Sequence, residues 1–127
     1  MKTLTKKILL IEDEKSIIFA LTSKFNLIPG ITVFYSKNGE EGLDLALKEK
    51  PDLILLDIIL PKMDGLEMLK KMRQDPWGKN AKVIILSNLS NPDKETEAKK
   101  MGVKDYIIKA NCKIEDVAKR VKSELKI

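Results

Sequence analysis

Apolar residues in this 127-residue chain fall into five short runs. They are 8–11 (ILLI), 31–35 (ITVFY), 53–56 (LILL), 83–86 (VIIL) and 106–108 (YII). The runs lack polar alternation and are often β-branched, the pattern of strands covered on both faces, as in a parallel sheet. Between them the period becomes helical. Ile17, Leu21, Phe25 and Ile28 share one face after Glu14; Gly39, Leu43, Ala46 and Leu47 line a second helix; Leu66, Leu69 and Met72 line a third. Residues 94–101 form a short, polar fourth helix, and Ile114, Val117, Ala118, Val121 and Leu125 make the clearest stripe of all. Asn38 with Glu41, and Asp64 with Glu67, fit a helix cap with a carboxylate three residues on. Pro29-Gly30, Lys50-Pro51, Pro76-Trp77-Gly78 and Gly102 supply stops. Five strand–helix repeats without a linker predict one doubly wound α/β domain over residues 1–127, with right-handed crossovers.

Composition narrows the class. Hydrophobic residues make up 43% and charged residues 34%, enough for one core and a solvated surface. The basic start is followed by an apolar run of four residues that ends in Glu12-Asp13-Glu14, too short for a signal peptide. No run approaches the roughly 20 residues of a membrane span. A single cysteine, Cys112, excludes an internal disulfide and suits a reducing compartment. A cytoplasmic location is expected. The net charge of +5 comes from lysines dispersed among acids, and aromatics are only 5%. A nucleic-acid binder would concentrate its cations on one face with aromatics nearby, so that class is disfavoured.

In open α/β sheets ligands bind beyond the carboxyl ends of the strands. Glu12 and Asp13 follow the first run, Asp57 the third, Ser87 the fourth and Lys109 the fifth. Three acids, a hydroxyl and a lysine thus converge on one edge. Two like charges ~4 Å apart repel by about 4 kcal/mol at an effective dielectric of ~20, so three ionised carboxylates need a cation. Oxygen donors without any histidine point to Mg²⁺. A Mg²⁺ beside Lys109 suits a phosphoryl group, with Asp57 as nucleophile and ligand forming an aspartyl phosphate. The developing charge would be shared by the metal, Lys109 and the Ser87 hydroxyl.

The segments LLIEDE (9–14), DLILLDIILPKMDG (52–65), VIILSN (83–88) and GVKDYIIKA (102–110) resemble, in this order and at this spacing, the receiver domain of two-component response regulators. The similarity extends over essentially the whole chain, and the family includes the single-domain chemotaxis regulator. It implies a flavodoxin-like sheet of order 2-1-3-4-5 with five helices. It also implies Asp57 as phosphoacceptor, and Mg²⁺ held by Glu12, Asp13, Asp57 and the Ile59 carbonyl. Ser87 would hydrogen-bond the phosphoryl group, Lys109 would pair with the phosphorylated aspartate, and Tyr106 would be a switch aromatic. Lacking histidine, the chain would receive phosphate from a histidine kinase or a histidine phosphotransfer protein. It would signal to a downstream protein, or relay the phosphate, and the family's output surface is the fourth helix, fifth strand and fifth helix, through which a homodimer could form. Such a protein catalyses its own phosphotransfer and slow autodephosphorylation without being a conventional turnover enzyme.

One departure stands out. The family usually places proline after the lysine, often with a cis bond, and here the residue is Ala110. A cis bond before a non-proline residue costs about 2.5–4 kcal/mol, so a trans bond and a differently shaped loop are expected. Ile59 and Leu89, two residues past Asp57 and Ser87, are apolar, and by analogy neither positions a hydrolytic water. Two competing readings are a non-phosphorylated receiver-like scaffold, opposed by the complete residue set, and a Mg²⁺-dependent phosphatase, which would need an acid where Ile59 stands.

Overall fold

The computed structural model describes residues 5–88 and 91–127. Five parallel strands, β1 (Lys6–Ile11), β2 (Ile31–Ser36), β3 (Leu53–Leu56), β4 (Val83–Ser87) and β5 (Asp105–Ile108), form a sheet of order β2-β1-β3-β4-β5. They alternate with α1 (Lys15–Asn26), α2 (Gly39–Glu49), α3 (Gly65–Met72), α4 (Pro92–Lys100) and α5 (Ile114–Leu125). This is the doubly wound architecture the apolar pattern predicts.

The unbroken apolar runs are explained by two cores, one on each face. Ile8, Leu10, Leu53, Leu55, Ile84 and Leu86 meet α1 and α5 through Leu21, Phe25, Val117 and Val121. Their neighbours Leu9, Ile11, Ile54, Leu56, Val83 and Ile85 meet α2, α3 and α4 through Ala46, Leu66, Leu69, Met72 and Ala98. Successive side chains of a strand point to opposite faces, so a strand covered twice must be apolar at every position. Coverage is complete for β3 and β4; β2 and β5 are only partly buried because they are the sheet's edges.

Local signals act as expected, with one shift of face. Asn38 Oδ1 accepts the Glu41 amide at 2.8 Å and Asp64 Oδ1 accepts the Glu67 amide at 2.9 Å. Lys50 closes α2 in the left-handed conformation (φ 48°), and Gly102 takes φ 78° after α4. In α1 the buried residues are Ile18, Leu21 and Phe25; Ile17 is only partly buried and Ile28 lies beyond the helix. The Lys109–Ala110 bond is trans, as expected, and residues Lys109–Asn111 form a 3-10 turn leading to α5.

A rivet invisible in the periodicity ties the α3 side together. Arg73, at the end of α3, donates to the carbonyls of Gly78, Ala81 and Met101 at 2.7–2.8 Å. One guanidinium thereby joins the end of α3, the turn before β4 and the end of α4. Its planar fork of donors suits this role.

Candidate functional site

The carboxyl ends of β1, β3, β4 and β5 open onto a hollow of about 290 Å³. Asp13, Glu14, Asp57, Ile59, Ser87, Asn88 and Lys109 line it. Strand geometry sets their positions: Glu12 N–H donates to Ser36 O, and Asp57 N–H donates to Ile11 O, both at 3.0 Å, extending the ladders to the chemistry. The loop after β3 is then folded back tightly. Gly65 N–H donates to Ile58 O at 2.7 Å, and a Cβ on Gly65 would lie 2.1 Å from Asp57 O. Only a residue without a side chain lets α3 start so close to the acid.

At the centre is Lys109. Its Nζ lies 2.5 Å from Glu12 Oε1, 3.0 Å from Asp57 Oδ2 and 3.5 Å from Glu14 Oε1. The side chains of Glu12, Asp57 and Lys109 are 1%, 7% and 7% exposed, so these charges interact with little screening. Burial works against the Lys109 ammonium, but its contacts with Glu12 and Asp57 outweigh that and raise its pKa above the ordinary lysine value. Burial also pushes the Glu12 carboxyl up; Lys109 and the Glu14 amide pull it down, and the Asp57 charge adds to the rise. Glu12 Oε2 accepts the Glu14 amide at 3.0 Å, which holds the first loop in place.

One lysine does not satisfy the cluster. Asp57 Oδ1 is buried with no hydrogen-bond partner among the described residues. Oxygens of Glu12, Asp13 and Asp57 all lie within 4.8 Å of one another, an arrangement able to share one hard cation. An orphaned carboxylate oxygen inside an acidic trio is the donor set such an ion fits.

The remaining candidates are placed unevenly. Ser87 is buried at the end of β4 and lines the hollow, as does Ile59, which is 61% exposed. Tyr106, half-buried on β5, does not line it but packs on the α2–α4 side. Burial raises the Tyr106 phenol's pKa, with smaller contributions from Glu95 and Asp57. Leu89 lies outside the described residues. Glu14 and Asn88, neither of them a candidate site residue from the sequence, also face the hollow. A signal for Glu14 did exist, since glutamate is a poor N-cap and its side chain caps nothing here.

The fold, with acids and a lysine gathered at the strand ends, defines a receiver-type module. The chain belongs to the response regulator receiver domain family, whose model matches residues 8–122. It is 37% identical over 106 residues to sporulation initiation phosphotransferase F of Bacillus subtilis, covering 84% of this chain and 83% of that one. It spans less than half the length of several transcriptional regulators that it also matches. Among solved structures it is similar to the phosphorylated cyanobacterial phytochrome response regulator RcpA (TM-score 0.80, 31% identity, 94% and 90% of the two chains). It is also similar to a chain in the CheX–CheY–BeF3–Mg²⁺ complex of Borrelia burgdorferi (TM-score 0.83, 28% identity, 94% and 89%). Membership makes this a signalling module of the phosphoryl-accepting kind. No helix among the described residues is long and apolar enough to cross a membrane.

Proposed function

We propose that residues 1–127 act as one cytoplasmic, phosphorylation-activated switch in which Asp57 accepts a phosphoryl group with the help of Mg²⁺. The single observation that carries this reading is the triple contact of Lys109 with Glu12, Glu14 and Asp57, beside an Asp57 oxygen that no other described residue satisfies. Glu12, Asp13, Asp57 and the Ile59 carbonyl would hold the cation. When bound, Mg²⁺ supplies positive charge that stabilises the phosphoryl oxygens. Lys109 holds Asp57 by the 3.0 Å contact at its Oδ2, and its ammonium would meet the charge of the incoming group. Ser87, which lines the same hollow, would hydrogen-bond a phosphoryl oxygen on the acid. Tyr106, on the neighbouring strand β5, would follow a movement of Ser87 and so alter the face formed by α4, β5 and α5. That face would receive the downstream protein or a second copy.

The donor would be a histidine kinase or a histidine phosphotransfer protein, because the chain has no histidine of its own. The similarity to a phosphotransferase also favours onward relay of the phosphate. Incubation with acetyl phosphate and Mg²⁺, followed by intact mass, tests the reading. The parent is expected to gain one phosphoryl group and Asp57→Ala none. Equal labelling of both, or of neither, would overturn it.

A further inference from the structure

Glu14 stands apart from the three acids able to share a cation, yet its Oε1 lies 3.5 Å from Lys109 Nζ. It occupies the N-cap of α1, where Ser, Thr, Asp or Asn would close the helix, and its side chain makes no capping hydrogen bond. What it contributes is charge: a carboxylate, 49% exposed, on the rim of the hollow. The deeper acids, Glu12 and Asp57, already share Lys109, and a bound cation would neutralise them further. Glu14 is left facing the route by which a phosphodonor must arrive.

We propose that Glu14 is a specificity-determining residue for phosphoryl uptake, selecting against donors in proportion to their negative charge. It thereby favours a phosphoryl group leaving from a neutral or cationic nitrogen, such as a protein imidazole, over an acyl phosphate. The inference rests on the reading of Asp57 as acceptor. In either reaction an Asp57 carboxylate oxygen attacks phosphorus and forms the new P–O bond. The donor's P–O bond to acetate, or P–N bond to ammonia, breaks, and the electron pair leaves with that group. Phosphoramidate carries its nitrogen already protonated, so no proton is required from the protein.

A unit charge ~6 Å from the incoming group changes its approach about threefold per unit of donor charge in a water-like dielectric. Glu14→Gln should therefore raise kcat/KM for the dianion acetyl phosphate about tenfold, and for phosphoramidate, with roughly one net negative charge, about threefold. Glu14→Asp keeps the charge and should keep the parent's ratio of the two. Rates are followed by intact mass at Mg²⁺ saturating for each variant. Raising the salt to about 1 M, where the screening length is ~3 Å, should erase most of the difference. An unchanged donor ratio in Glu14→Gln, or a difference that survives high salt, would overturn the proposal while labelling at Asp57 stands. A parent that neither donor labels would overturn the underlying reading and this inference together.

Discussion

Replacing Lys109 by methionine tests the charge arrangement directly. The change keeps most of the side-chain volume and deletes the ammonium, leaving Glu12 and Asp57 buried side by side. At an effective dielectric of ~20, the contacts at 3.0 Å and 2.5 Å each represent roughly 5–7 kcal/mol of gross attraction. Burying the lysine costs several kcal/mol, which offsets part of this. Removing one partner of a buried pair typically costs about 3–5 kcal/mol, and proton uptake by Glu12 softens the loss, so we expect ~3 kcal/mol and a Tm lowered by about 10 °C. Urea unfolding in EDTA at neutral pH measures it. Two dependences identify the cause. Glu12 has a folded pKa above its unfolded value of 4.5, so its stabilising contribution is full below 4.5 and is lost as pH rises through the folded pKa. The Lys109→Met penalty should therefore shrink toward pH 4–5, where Glu12 can take up a proton in place of the missing ammonium. In the parent, the raised Lys109 pKa means that its contribution is present below 10.5 and is lost as pH rises through the higher folded value. Saturating Mg²⁺ should recover much of the loss by restoring positive charge among the carboxylates. A variant as stable as the parent in EDTA at neutral pH would show that burying the ammonium costs as much as it returns, and the reasoning would fail.

The exposed Asp13 has acidic neighbours within 4.8 Å, each worth about 0.9 kcal/mol of repulsion in a water-like dielectric, so Asp13→Asn should stabilise the metal-free fold by ~1 kcal/mol while weakening Mg²⁺ binding. Destabilisation in EDTA would contradict this. Arg73→Met removes the hydrogen bonds to three carbonyls, of which Gly78 O also accepts the Ala81 amide, and should cost about 2–4 kcal/mol in urea unfolding, with phosphorylation of the folded protein preserved. A loss below ~0.5 kcal/mol would remove the rivet from the account. The Ile59 side chain offers the hollow no polar group to orient water, so the aspartyl phosphate should persist well beyond seconds in Mg²⁺, and decay within seconds by intact mass would refute that expectation.

Much of this protein could be read from its residues taken in order. Continuous apolar runs announced strands covered twice, and Asn38 and Asp64 announced helix starts, because these effects act within a few residues along the chain. Part of the hollow's surroundings was visible too: in a parallel sheet every strand delivers its carboxyl end to the same edge, so Glu12, Asp13, Asp57, Ser87 and Lys109 gather there, whereas Glu14 and Asn88 were not foreseen. Tertiary structure decided the rest. Whether Ile17 or Ile18 faces the core depends on how α1 rolls against α5 and the sheet, a rotation set by packing. The partial exposure of β2 and β5 follows from strand order and not from their own residues. Arg73 reaches the Met101 carbonyl 28 positions away, and the Glu14 side chain meets Lys109, 95 positions along the chain. Neighbours in sequence carry periodicity and capping, but charge pairing is settled by distance in space, and only the folded chain brings those groups within reach of one another.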